Sequence, residues 1–181
     1  MKSNTEPGGE DGELESAAPN PWPHEALRRF RMIFRAVQIH SQWVESCAGV
    51  SCAQLWALFE ISRNPGLKVS DLAEAMSIHQ STASNLLPRL EKDGLIRRER
   101  AASDQRVVRL SLTEAGQDLV SRAPDPKRGL LQHALRELPE SELKALAGHL
   151  DTLIGLMRIS DDQAAMLPLS VSSRKARKPR G

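Results

Sequence analysis

The stretch from Leu67 to Leu112 constrains this chain more than any other. It contains two short helical segments on either side of a three-residue turn, followed by two strands. Ser70 is a suitable N-cap, with Asp71 and Glu74 placed where a helix dipole favours acids, so the first helix is expected over about 70–76. Ser77-Ile78-His79 forms the turn, and the second helix is expected over about 79–93, stopped by Asp93-Gly94. Leu72, Ala73 and Met76 face Ala83, Leu86, Leu87 and Leu90, so the two helices can brace each other. Leu67-Lys68-Val69 is a short extended piece. Leu95–Ala101 and Arg106–Leu112 read as strands, with residues 102–105 as the hairpin tip; Val108, Leu110 and Leu112 alternate with Val107, Arg109 and Ser111. Pro88 lies inside the second helix and removes the backbone hydrogen bond to the Ser84 carbonyl, which predicts a bend that re-aims Arg89.

The flanks are helical. Pro23 can open a helix at its first turn, and Leu27, Phe30, Ile33, Phe34, Val37, His40, Val44 and Cys47 recur at helical spacing until Gly49. Ser51 and Gln54 form a capping box ahead of a helix over about 51–62, ended by Asn64-Pro65-Gly66. Thr113 caps a further helix, which Pro124-Asp125-Pro126 breaks before a second helical piece at about 127–137. A last helix opens at Pro139, and its Leu143, Leu146, Leu150, Leu153 and Met157 keep a heptad-like row. The expected organisation is a disordered acidic tail (1–22), one domain (23–160) and a disordered basic tail (161–181). Within the domain, 51–113 form one lobe, and 23–50 and 114–160 form a helical region around it.

Charge is informative through its placement. The net charge is only +2, but five acids lie within residues 1–20, five arginines lie between 97 and 109, and five cations lie in the last eight residues. A basic hairpin and a basic end suggest an anionic partner. Only three Phe, three Trp and no Tyr are present, which argues against a single-strand binder built on stacking. Two cysteines rule out a disulfide scaffold, and no apolar run has the length of a membrane span. With no secretory pattern at the N-terminus, a cytoplasmic location is expected. No Gly-rich nucleotide loop, nucleophile elbow or His–Glu metal motif is present, so no catalytic residues, cofactor or metal are expected and the chain is not read as an enzyme.

Mainly α structure with a small β-hairpin wing is the plan of a winged helix-turn-helix lobe joined to a helical region, which the resemblance given next implies to be a helical dimerisation region. A major groove admits one α-helix, whose N-terminal residues face the base edges. The second helix presents His79, Gln80, Ser81, Thr82, Ser84, Asn85 and Arg89, and the hairpin carries Arg98, Arg100 and Arg106. Arginine at a wing suits the strong negative potential of a narrow minor groove.

From Gln54 to Gly116 the chain resembles the MarR family of transcriptional regulators. The resemblance is carried by Val69-Ser70-Asp71-Leu72-Ala73, Ser81-Thr82-Ala83-Ser84, Arg89–Arg98, Asp104-Gln105-Arg106 and Leu112-Thr113-Glu114-Ala115-Gly116. It implies a homodimer made by the first and last helices. It also implies a pseudo-palindromic double-stranded operator, and regulation, most often repression, relieved by a small ligand or oxidant. Ser81, Thr82, Ser84, Asn85 and Arg89 match recognition-helix positions, and Asp104 and Arg106 match the wing pair. Gln105 stands where the family often has Arg, one cation fewer per wing. The alternative is a winged-helix module that docks a protein and does not bind DNA.

The resemblance also implies a ligand crevice where the dimerisation helices meet the DNA-binding lobe. His40, Trp43 and Cys47 share one helix face, and Cys52 and Trp56 begin the next helix, so these five residues are the candidate ligand or redox pocket. An aromatic or anionic phenolic effector would suit such a crevice. Cys47 and Cys52 could form a disulfide if their Cα atoms came within about 7 Å.

Overall fold

The computed structural model describes residues 20–101, 104–158 and 164–168; the side chains of 101, 104–107 and 164 lie outside the description. Residues 1–19 of the expected acidic tail, 102–103 of the expected hairpin tip, and 161–163 and 169–181 of the expected basic tail therefore fall outside it. The described residues form α1 (Trp22–Ala48), α2 (Cys52–Arg63), β1 (Leu67–Lys68), α3 (Val69–Ala75), α4 (Gln80–Lys92), β2 (Ile96–Ala101), β3 (Asp104–Leu112), α5 (Glu114–Arg122), α6 (Leu130–Glu137), α7 (Glu140–Leu156) and a 3-10 turn, η1 (Ala164–Met166).

Local chemistry accounts for most boundaries. At α2 both halves of the capping box form: the Ser51 side chain accepts from the Gln54 amide at 3.3 Å, and the Gln54 side chain accepts from the Ser51 amide at 2.9 Å. Ser70 does not cap α3. The helix starts one residue earlier with Lys68 as N-cap and no side-chain cap bond, and the Ser70 hydroxyl donates instead to Asp71 Oδ1 at 2.9 Å. Pairing of Leu67-Lys68 with β3 holds that entry in extended form, and the chain turns into the helix directly from the strand. At the other end, the Ile78 amide reaches the Ala73 carbonyl and the Ser77 amide reaches Glu74, with Ser77 at φ 53°. These two bonds make a Schellman closure with Ser where glycine is usual. The same closure ends α4, from Leu95 to Leu90 and from Gly94 to Glu91, with Gly94 at φ 69°.

The sheet has strand order β1-β3-β2 and is antiparallel throughout. The short extended piece is thus a third strand, with Leu67 opposite Leu110. β2 and β3 pair from Ile96↔Leu112 to Arg100↔Val108, with a register shift at Arg100/Ala101. Thr113 joins the sheet to α5. Its hydroxyl donates to the Gly94 carbonyl at 2.6 Å and accepts from the Gly116 amide at 3.1 Å. Gly116 packs so close that a Cβ there would collide with the Leu95 carbonyl oxygen.

The core lies mainly in the lobe from α2 to α5, and Val44 of α1 reaches into it. Leu55, Leu58, Ile61, Leu72, Met76, Leu87, Leu90, Leu110 and Val44 are its largest fully buried side chains. α5 ends at Arg122 and α6 begins only at Leu130, so the prolines separate two helices. Neither α6 nor α7 has a buried residue, and in α7 every residue but the half-buried Leu143 is exposed.

Candidate nucleic-acid interface

α4 is two-faced. Ala83, Leu87 and Leu90 are buried against the lobe, while Gln80, Ser81, Ser84, Asn85 and Arg89 are exposed and Thr82 is half-buried. His79, exposed, is the N-cap residue and makes no side-chain cap bond. The structure therefore brings all seven expected helix residues to one end and one outer face of α4. The helix runs unbroken through Pro88 for another turn to Lys92. Pro88 itself is exposed, so its ring meets solvent instead of core. Arg89 points along the helix, its Nε donating to Asp93 Oδ2 at 2.7 Å.

The wing stands beside α4. Arg98 reaches back to it, its Nε 2.9 Å from Glu91 Oε2, and Arg100 is exposed further along β2. Asp104 and Arg106 lie on β3, but their side chains are outside the description. Arg109 is committed elsewhere, its guanidinium donating to the Gly66 carbonyl at 3.2 Å. Lys68 and Ser70 complete a cleft between α4 and the wing, lined also by Gln80, Ser84 and Arg98. These two were missed in the sequence, where they precede the recognition helix; β1–β3 pairing holds Lys68 beside the wing, and the packing of α3 on α4 brings Ser70 to the recognition helix. The Arg89 and Arg98 ion pairs are exposed, and such pairs contribute only about 0–1 kcal/mol, so both cations can be given up to phosphate.

The five pocket candidates separate. His40, Cys52 and Trp56 line one small cavity between α1, α2, the 76–78 turn and the start of α6. Trp43 does not line it. It is 48% exposed, with its ring edge-on to His40 at 5.9 Å. Cys47 is exposed and lies in a separate cleft with Leu95 and Leu119, because i, i+7 on α1 carries it past the cavity toward α5. Both cysteines are free thiols. Burial raises the Cys52 pKa; a hydrogen bond from Ser41 opposes this and the Glu45 charge adds to it. A raised pKa leaves less thiolate, the opposite of what a reactive redox thiol needs.

Three contributors were not legible. Arg128 and Gln132 enter the cavity wall from the far side of the proline break. Glu60 is only 5% exposed and accepts from Trp56 Nε1 at 2.8 Å and from Arg128 Nε at 2.6 Å; Arg128 Nη2 adds a longer bond at 3.4 Å. The Arg128 guanidinium also lies 4.7 Å from the Phe59 ring centroid. This network ties α2 of the lobe to the connection leading into α6. His40 Nε2 is buried in the same region without a hydrogen-bond partner among the described residues. The cavity has a volume of about 30 Å³, room for one water.

Comparisons with known proteins agree with this geometry. A family model described as the MarR family matches residues 50–108. The chain is 30% identical over 118 residues to the HTH-type transcriptional repressor MdtR of Bacillus subtilis, covering 65% of this chain and 76% of that protein. It is 32% identical over 105 residues to the organic hydroperoxide resistance transcriptional regulator of the same organism, covering 58% of this chain and 70% of the relative. Among solved structures, it is similar to a MepR–DNA complex from S. aureus, with 27% identity, a TM-score of 0.51, and coverage of 73% of this chain and 97% of that one.

Proposed function

This chain belongs to the MarR family, and from that premise we propose that it is a homodimeric, cytoplasmic transcriptional repressor of a pseudo-palindromic DNA site, released by a small ligand. It is a regulator and not an enzyme. One observation carries the DNA reading: α4 buries its apolar face and turns its polar residues outward beside the arginines of the wing. His79, Gln80, Ser81, Ser84 and Asn85 are assigned to the major groove, with Thr82 at its edge. Arg89, Arg98 and Arg100 are assigned to phosphates. Arg106 is assigned to the minor groove, with Asp104 positioning the loop.

The unburied apolar stripes support the dimer. Leu146, Leu150, Leu153 and Ile154 of α7 are 36–44% exposed, and Ile33 and Phe34 of α1 are 42% and 62% exposed. Most of a protein helix's stability comes from packing an amphipathic face, and α7 buries none of its residues within this chain, so it needs a partner surface, which a second copy offers. The cavity beside His40 is the assigned effector site. Its Arg128 is already neutralised by Glu60, so the ligand it suits has an apolar body and one hydrogen-bonding group for His40, instead of an anion.

The test is a titration of a labelled duplex at several salt concentrations, followed by fluorescence anisotropy. A dimer that neutralises about six or more phosphates gives a log–log slope of about −5 or steeper. A flat response would contradict the reading and favour a protein-docking winged helix.

A further inference from the structure

Residues 164–168 lie across the turn that precedes α4. The Met166 carbonyl accepts a long hydrogen bond, 3.4 Å, from the His79 amide. Leu167 and Pro168 line a cleft with Trp56, Ile78 and Leu135. Pro168 also lines the small cavity beside His40 and Cys52. One short segment therefore touches both the N-terminal end of α4 and the wall of the cavity.

We propose that residues 164–168 form a strap that, when seated, closes the cavity and holds the His79 end of α4, and, when lifted, opens the first and loosens the second. The volume motivates this: about 30 Å³ leaves little room beyond a water, and Pro168 is part of the wall that bounds it. The α2 wall is fixed by the core and the α6 side by the Glu60–Arg128 pair, and His40 of α1 is buried. The strap is held far more weakly. Leu167 is 57% exposed, and among the described residues the long bond to His79 is the backbone link between this segment and the lobe. The least-anchored wall is the one that opens first. His79 is the N-cap of α4, where backbone amides lack intrahelical acceptors, so the Met166 carbonyl satisfies a group the helix cannot. The effect on DNA rests on the reading of α4 given above; closure of the cavity does not.

Thiol labelling in the full-length chain tests both parts. In a Cys47→Ser background, Cys52 is the one remaining thiol and reports on the cavity. N-ethylmaleimide should modify it about tenfold faster once Met166→Asp and Pro168→Asp are added, at equal folding by circular dichroism. Pro168→Gly alone, a milder change, should give an intermediate rate. The double variant should also bind a duplex site several-fold more weakly. Unchanged labelling in both folded variants would overturn the strap. Faster labelling with unchanged duplex affinity would overturn its link to α4. Failure of the Cys47→Ser parent to bind any duplex would count against the DNA reading, and labelling would still decide the closure.

Discussion

Glu60 and Arg128 show how much a single pair can carry. Both are largely buried, with side chains 6% and 17% exposed, and the Glu60 carboxylate also accepts from Trp56. Replacing one partner strands the other charge away from water, which costs about 3–5 kcal/mol for a buried pair. Arg128→Ala should therefore lower the unfolding free energy from urea titration by that amount, whereas Lys144→Ala should leave it almost unchanged. The Lys144–Glu140 pair is fully on the surface, with side chains 76% and 81% exposed. Cys52 makes the second prediction at this scale. The folded chain holds its thiol proton more tightly than the unfolded chain does. Stability from the buried neutral thiol is thus complete below the unfolded thiol's pKa and falls as pH rises from there toward the folded value. The stability advantage of the wild type over Cys52→Ala should narrow above about pH 8.5 in denaturation curves. Neither residue's role could be read beforehand. Glu60 and Arg128 are 68 positions apart, and nothing local marks which of 23 acids is buried.

At the scale of elements, local chemistry was far more legible. The Ser51–Gln54 box, the Thr113 cap, the Gly94 stop and the proline break all sit where short-range hydrogen bonding and backbone geometry require them. Ser70 failed as a cap because a tertiary constraint, strand pairing at Leu67-Lys68, outweighed a local preference. Ser77, Pro88 and Arg158 are places where residue type and conformation disagree, and the first two flank the recognition helix or lie in it. Ser77 takes a left-handed φ of 53°, so Ser77→Gly should raise stability by up to about 1 kcal/mol, read from the thermal midpoint. Pro88→Ala should restore the bond to the Ser84 carbonyl and stabilise α4 by about 1–3 kcal/mol. The same variant tests whether Pro88 tunes recognition, because Arg89 lies one residue beyond it: a change in site preference links the proline to DNA reading, and unchanged preference confines it to stability. In the wing, Arg106→Ala should weaken duplex binding across all sequences and flatten the salt slope by about one unit per wing. An unchanged slope would remove Arg106 from the interface.

At the scale of the whole molecule, the apolar surface has one organisation. The lobe from α2 to α5, with Val44 of α1, closes one core, while α1 elsewhere and α7 carry exposed apolar side chains at helical spacing. The periodicity of both helices was visible in the sequence. Their failure to bury it within one chain was not, because residue spacing does not say whether a stripe meets its own chain or a second copy. Leu150→Glu combined with Ile154→Glu should therefore yield a monomer in sedimentation experiments, and duplex affinity should fall with it, since two half-sites then lose their shared partner. The pocket residues were legible only in part for a similar reason. Helical spacing put His40, Cys52 and Trp56 on faces that meet at one cavity, but the opposite wall comes from beyond a break whose direction no local signal encodes.

The central claim, that two copies of α4 read a symmetric duplex, is tested most directly by selection. Purified reduced protein would be used to enrich sites from a random duplex pool, and the enriched pool would be sequenced. The account predicts a two-fold symmetric site whose half-sites lie about one helical turn, roughly 10 base pairs, apart. Loss of that enrichment in a Ser84→Glu, Asn85→Glu variant would place α4 at the bases. Enrichment of no site by a folded, dimeric sample, or of a site without symmetry, would contradict it.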